Sequence, residues 1–340
     1  MATNRDHSNG AGEFLTTAKQ STRPLKITIA GAGLGGLFAA ITLRNAGHHV
    51  EIYESSRFAT ETGAAIHLPP NVNGLLRRYG MIPEDHGANI CEWVSQGKPN
   101  GEKYFSGDMR GLKYAFAYPW QLCHRIDLHN ALKVIATREE GLGRPVVIHL
   151  QSKVVAVDVE KTTITLRDGT VVESNLIIGA DGVHVSCSLL SMAKNRSDKT
   201  QSVVRNYVLG RQTIPHPSGT SAFRFLIPTS EIKADPKTAH FVEKTGEMTM
   251  LNGDERRIVM YPCRNNTDMN FVAMHPDVES DGSSQEWNQA GSIDVLLKVF
   301  DGFSDDVKAV LQKAHPDTVK LWKLLDHEAL PTVSFLDSCS

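Results

Sequence analysis

No run of lysine and arginine appears anywhere in the 340 residues, and 36 basic side chains stand against 38 acidic ones for a net charge of -2. Neutralising a phosphate backbone takes a concentrated basic face, so a nucleic-acid partner is excluded. Cysteine is scarce: Cys91, Cys123, Cys187, Cys263 and Cys339 are odd in number, scattered, and contain no C-x-x-C pair. That spacing implies neither a disulfide framework nor a structural zinc, and fits reduced thiols. The 14 histidines form no cluster with metal-ligand spacing, and no nucleophile triad stands out. A clear membrane segment is missing too, since the most apolar stretch, residues 27–43, carries four glycines. Residues 1–24 mix Asn, Ser, Thr and Gly with charge and lack the apolar core of a secretory signal. A disordered tail and a cytoplasmic location are the expectations. Nothing in the sequence sets the oligomeric state.

What the chain does have is an ordinary globular balance, 41% apolar and 22% charged, over a length that supports more than one subdomain. Its most informative stretch is LKITIAGAGLGGLFAAITLRNAGHHVEIYE, residues 25–54. A β-branched run leads into Gly31-x-Gly33-x-x-Gly36. Helical spacing follows in Leu37, Ala40, Ile41 and Leu43 until Gly47, and a second strand closes on Glu54. In such a unit Gly31 permits the tight turn, Gly33 lets a pyrophosphate approach the backbone, and Gly36 brings helix close to sheet. The helix N-terminus offers free N–H groups and a positive dipole end to the phosphates. Glu54 is placed to accept both ribose hydroxyls and would repel a 2'-phosphate, so the adenosine expected there belongs to FAD or NAD, not NADP.

Further on, Gly63-Ala64-Ala65 is a run of small residues, read either as a tight loop or as room for a flat ring against the backbone. In HRIDLHNAL, residues 124–132, Asp127 is expected to N-cap a helix carrying Leu128, Leu132 and Ile135. Arg125, just before that helix, is a surface arginine or a ligand contact. From Lys153 the chain alternates as a β-meander with a turn at Asp168-Gly169, then runs through an apolar strand into Gly179-Ala180-Asp181-Gly182. Between residues 203 and 277 four strands are expected: SAFRFLIP, EMTMLNG, RRIVMYPCR and NFVAMHPD, with Arg224 and Tyr261 on two of them. Two amphipathic helices come after Asn288, the second with Ser304 as its N-cap.

Glu54, residues 61–66, Pro69-Pro70-Asn71, Arg125 and the Gly-Ala-Asp-Gly that follows a meander resemble the class A flavoprotein monooxygenases, particularly the salicylate-hydroxylase-like members of fungal secondary metabolism. The resemblance implies the p-hydroxybenzoate hydroxylase fold: α/β, with a Rossmann-like FAD-binding domain (residues 25–200) holding an inserted β-meander, plus an antiparallel-sheet substrate domain (201–290). Strands near 89–120 would join that sheet, and residues 291–340 would supply helices leading to a last FAD-binding segment. It also implies FAD held by Gly31, Gly33, Gly36, Glu54, Ala65, Arg125 and Asp181, with NADPH as electron donor. O2 and a small aromatic or polyketide-derived phenol would be the substrates, the phenol being oriented as its phenolate by Arg224 and Tyr261. For that pair a snorkelling sheet arginine and a core tyrosine remain the plain alternative. The chain departs from the family in two places. In DGVHVSCS, Val185 and Ser188 stand where the family has Ser and Arg, and after Thr332 the likeness stops, so a C-terminally truncated form is expected. A non-catalytic remnant that holds FAD weakly and an NAD-dependent dehydrogenase are the other readings.

Overall fold

A computed structural model describes residues 21–57, 64–182, 202–209, 211, 215–279, 288–326 and 329. The N-terminal tail to residue 20, Gly63, Val185, Ser188 and the end of the chain from Thr332 lie outside the described residues. The glycine fingerprint folds as strand, turn, helix, strand. β1 (Lys26–Ala30) buries Ile27 and Ile29, the chain turns at Gly31 with φ +101°, and α1 (Leu34–Asn45) buries Leu37, Ala40 and Ile41. Gly47, at φ +89°, lets the chain leave the helix and enter β2 (His49–Tyr53) parallel to β1.

Next come β3 (Ala65–Leu68), α2 (Pro70–Arg78), β4 (Asn89–Ile90), β5 (Trp93–Gly97), β6 (Lys103–Asp108), α3 (Leu112–Phe116), β7 (Gln121–His124) and α4 (Arg125–Thr137). β3, β7 and β4 make a small antiparallel sheet. α4 buries Leu128, Leu132 and Ile135, as its spacing requires, but its start differs from expectation: Arg125 is its first residue, His124 stands at the N-cap, and Asp127 lies inside the first turn. The Asp127 carboxylate instead takes Nε and Nη2 of Arg264 at 2.7 and 3.1 Å, a two-pronged ion pair that outcompetes capping. Arg44 of α1 is 2% exposed and donates to the carbonyls of Ile135 and Ala136 at 3.0 and 3.1 Å. A buried cation is thereby satisfied at the C-terminal, negative end of α4.

β8 (Val147–His149) joins β2, and β9 (Val154–Asp158), β10 (Thr163–Leu166) and β11 (Val171–Glu173) form the meander, with Gly169 at φ +89° in its turn. β12 (Leu176–Gly179) then returns to pair with β1, completing a parallel sheet in the order β12-β1-β2-β8. α5 (Val203–Leu209) follows. The remaining elements are β13 (His216–Pro228), α6 (Thr229–Lys233), β14 (Glu247–Asn252), β15 (Arg257–Cys263), β16 (Asp268–Pro276), β17 (Asn288–Ala290), α7 (Ile293–Val299), α8 (Asp305–Leu311) and β18 (Lys320–Asp326). The four strands expected between residues 203 and 277 all form. Together with β5, β6, β17 and β18 they make an eight-stranded sheet in the order β17-β18-β13-β16-β15-β14-β5-β6. Ser304 does stand at the N-cap of α8, but its hydroxyl bonds to Asp306, whose carboxylate accepts the Val307 N–H at 2.9 Å.

Because strand side chains alternate, the large sheet has two different faces. One carries Phe223, Phe225, Ile258, Met260, Phe271 and Ala273, all within 2% exposure, packed on Leu296, Phe300, Val307 and Val310 around α7 and α8. The other faces β3 and β7. Among the described residues no helix is long and apolar enough to cross a membrane, and no group of His, Cys, Asp or Glu is arranged to hold a metal.

Candidate functional site

The fingerprint glycines have separate physical reasons. A Cβ on Gly31 would lie 2.4 Å from the Ala180 carbonyl oxygen, and one on Gly36 would lie 2.1 Å from the Gly31 carbonyl oxygen. Both are therefore required by the packing of the turn itself. A Cβ on Gly33 would meet nothing within 4 Å. Packing does not demand that glycine, so the space beside it is available to a ligand. No side chain caps α1 and no acidic residue occupies its first turn, which leaves its positive end open to an anion.

Ala32, between the first two of these glycines, is held at both ends of its backbone. Its N–H donates to Glu54 Oε2 at 2.8 Å, and its carbonyl oxygen meets His129 Nε2 of α4 at 2.8 Å. Glu54 also accepts the Ser56 N–H at 2.8 Å. Burial works against the charge of Glu54, but the N–H donors of Ala32 and Ser56 outweigh it and hold the carboxyl below its usual range. It is an anion at neutral pH. Asp181 lies beside this turn, its N 2.9 Å from where a Gly31 Cβ would stand. Its carboxylate is engaged within the protein, accepting from Ser202 Oγ at 2.5 Å and from the Val203 N–H at 2.8 Å at the start of α5. Arg125 opens α4, and its N–H donates to the Ala64 carbonyl at 3.3 Å.

Some 160 residues of chain separate Ala65 from Arg224, and the fold brings them together: Arg224 Nη2 donates to the Ala65 carbonyl oxygen at 3.5 Å. The Ala65 N–H donates in turn to Oδ1 of the buried Asn270, at 3.0 Å. Register places Arg224 opposite Val272, and Asn270 opposite both Leu226 and Tyr261, so these side chains share the sheet face that looks toward β3. Ala65, Tyr261, Met248, Val94 and Leu122 form the apolar lining there. The Arg224 guanidinium lies 4.5 Å over the ring of Trp322 from β18. Its Nε is buried without a partner, and among the described residues no carboxylate pairs with it. Burial lowers the Arg224 pKa, with Tyr261 working the other way. Burial pushes the Tyr261 phenol up, so it stays protonated and remains a hydrogen-bond donor. The thiols of Cys123 and Cys263 are pushed up to about 12 by burial, which leaves them un-ionised and inert.

The expected residues thus collect in two places. Gly31, Gly33, Gly36, Glu54 and Asp181 surround the first turn, while Ala65, Arg224 and Tyr261 meet at the sheet face, and Arg125 is near enough to Arg224 to lower its pKa. Sequence reasoning missed His129, Asn270 and Trp322. All three become visible only through pairing across the chain.

No family model matches the chain. Over 316 residues it is 36% identical to the FAD-dependent monooxygenase cfoG of Aspergillus candidus, a match to 90% of this chain and 68% of that protein. Over 314 residues it is 32% identical to hispidin-3-hydroxylase of Neonothopanus nambi, covering 88% of this chain and 69% of that one. Among solved structures, a salicylate hydroxylase substrate complex superposes with a TM-score of 0.68 at 20% identity, covering 93% of this chain and 72% of that one. CtdE in complex with FAD and a substrate gives a TM-score of 0.74 at 15% identity, covering 91% and 71%. At such identities the structural likeness carries the fold alone.

Proposed function

Because the chain belongs to the FAD-dependent monooxygenases, and FAD is therefore its cofactor, we propose that it hydroxylates an electron-rich phenol of aromatic or polyketide origin, with O2 as oxygen source and NADPH as electron donor. The observation that carries the substrate reading is Arg224, a half-buried cation with no carboxylate partner among the described residues, stacked on Trp322 and sharing a face with the protonated Tyr261. A buried guanidinium without a counter-charge suits an anionic ligand, and a phenolate is the anion an aromatic hydroxylation needs. Of the two named relatives, one is called an FAD-dependent monooxygenase and the other a hydroxylase, which supports the oxygen-inserting reaction class.

FAD, when bound, supplies the redox chemistry with dioxygen. The chain's own residues bind and orient. Gly33 and the open end of α1 suit the pyrophosphate, the anionic Glu54 suits the ribose, and the small Ala65 leaves room for the ring system. Arg125 is proposed to contact the cofactor from the start of α4. Asp181, whose carboxylate is already engaged, is proposed to act by shaping the turn at the pyrophosphate. Arg224 stabilises the phenolate form of the ligand, whose proton passes to bulk water as it enters, Tyr261 donates to the phenolate oxygen, and the apolar wall around them excludes water once it is bound. The test is direct. Purified protein is reconstituted with FAD, and NADPH oxidation is followed with and without simple phenols under air. Phenol-stimulated oxidation with a hydroxylated product is expected, whereas a chain that takes up no FAD, or oxidises NADPH without touching any phenol, overturns the proposal.

A further inference from the structure

Asn270 has no part in the expectations from sequence, yet it stands at the centre of the sheet face. It is fully buried and bonds at one end only: Oδ1 accepts the Ala65 N–H at 3.0 Å, while Nδ2 has no partner among the described residues. Turning the carboxamide over cures nothing, because Nδ2 would then confront the Ala65 N–H, donor against donor. The orientation is therefore set by the backbone of β3. Register puts Asn270 directly between Leu226 on β13 and Tyr261 on β15, with Arg224 two residues along β13 from Leu226 on the same face. Ala65 is shared by the two side chains, its N–H on Asn270 and its carbonyl oxygen on Arg224 at 3.5 Å. One residue of β3 is thus held, through both its backbone groups, by two side chains of the large sheet.

A buried amino group with no acceptor is costly, and native interiors rarely tolerate one unless something outside the chain completes it. A metal cannot, since the group is a donor only. A ligand oxygen can, and the neighbours that would frame such a ligand, Arg224 and Tyr261, are those assigned to the phenol. Resting on that reading, we propose that Asn270 is a positioning and specificity residue: its carbonyl oxygen fixes Ala65, and its amino group donates to a second oxygen carried by the phenolic substrate. The ligand class follows from the two donors. Arg224 takes the phenolate oxygen, and Asn270 takes another hydroxyl or a carbonyl on the same aromatic framework, so the site selects dioxygenated rings over simple phenols.

The two halves are tested separately on the FAD-reconstituted protein. Without substrate, hydrogen exchange at the Ala65 amide is compared in wild type, Asn270→Leu and Asn270→Asp. Exchange is expected to quicken by at least about tenfold in N270L, as for the loss of one buried hydrogen bond, and to stay near wild type in N270D, whose carboxylate still accepts. Equal protection in wild type and N270L overturns the Ala65 half. For the ligand half, resorcinol and phenol are titrated against the flavin absorbance of wild type and N270L. Wild type is expected to bind resorcinol about tenfold more tightly than phenol, and N270L to lose that preference while still binding phenol. A preference retained in N270L, or absent from wild type, overturns it. If N270L does not fold, N270A carries both comparisons. Wild-type protein that binds neither ring refutes the phenol reading itself, an outcome the exchange measurement does not share.

Discussion

Arg224 pulls stability and activity in opposite directions. A guanidinium taken from water without a counter-charge weakens the folded state, so replacing it by an unbranched apolar chain should relieve that cost. Arg224→Met is expected to raise the stability of the FAD-free protein by about 1 kcal/mol and to lower phenol-stimulated turnover by roughly 10- to 100-fold, the worth of a charge-assisted hydrogen bond. Thermal melts and initial rates check both arms, and a variant that loses stability would show that the bond to Ala65 and the stack on Trp322 outweigh the cost of burial. Glu54 is the opposite case, a charge the fold stabilises. Its folded pKa is depressed by the Ala32 and Ser56 N–H groups despite its burial. It therefore contributes stability that is present above the unfolded value of about 4.3 and is lost as pH falls through the lower folded value. Glu54→Gln, which keeps an acceptor for Ala32 but no charge, should give a shallower fall in urea midpoint below about pH 4.3. An unchanged acid limb would show that the charge is not what the turn holds.

At the scale of the element, the β1-turn-α1 unit separates what the fold needs from what the ligand needs. A Cβ at Gly36 collides with the Gly31 carbonyl, whereas a Cβ at Gly33 enters open space. Gly36→Ala is expected to destabilise the FAD-free protein by about 2–4 kcal/mol, and Gly33→Ala by no more than about 1 kcal/mol. FAD affinity should fall in both, and a Gly33→Ala protein that binds FAD as wild type does would remove the pyrophosphate from that glycine. This unit was legible in the sequence because its signals are local: β-branched strand, spaced glycines, 3.6-residue periodicity and a closing acid within 30 residues. The meander and four strands of the large sheet were legible for the same reason. Asp127 was misread because capping chemistry is local while its actual partner, Arg264, is 137 residues away. His129 and Asn270 were invisible for a related reason. Each bonds a backbone atom whose position depends on which strands and helices pair, and no pattern along the chain encodes that.

For the whole molecule, the site lies outside both large cores. One core lies between the parallel sheet, α1 and α4, the other between the large sheet, α7 and α8, and the small cluster of Ala65, Leu122, Tyr261 and Met248 bridges β3 and β7 to the face of the large sheet turned away from α7 and α8. A ligand lying across that bridge binds the folded chain and not the unfolded one, so FAD at a hundred times its Kd should add about 2.7 kcal/mol of stability and raise the Tm. A melt unmoved by saturating FAD would mean that the two halves do not close on it. The two-faced sheet also bears on how such a chain can diversify. With neighbours along a strand pointing to opposite sides, Leu226 and Met250 can be exchanged for other side chains while Phe225 and Leu251 beside them keep the helices in place. The range of ligands accepted can then drift under selection without the scaffold having to be reinvented each time.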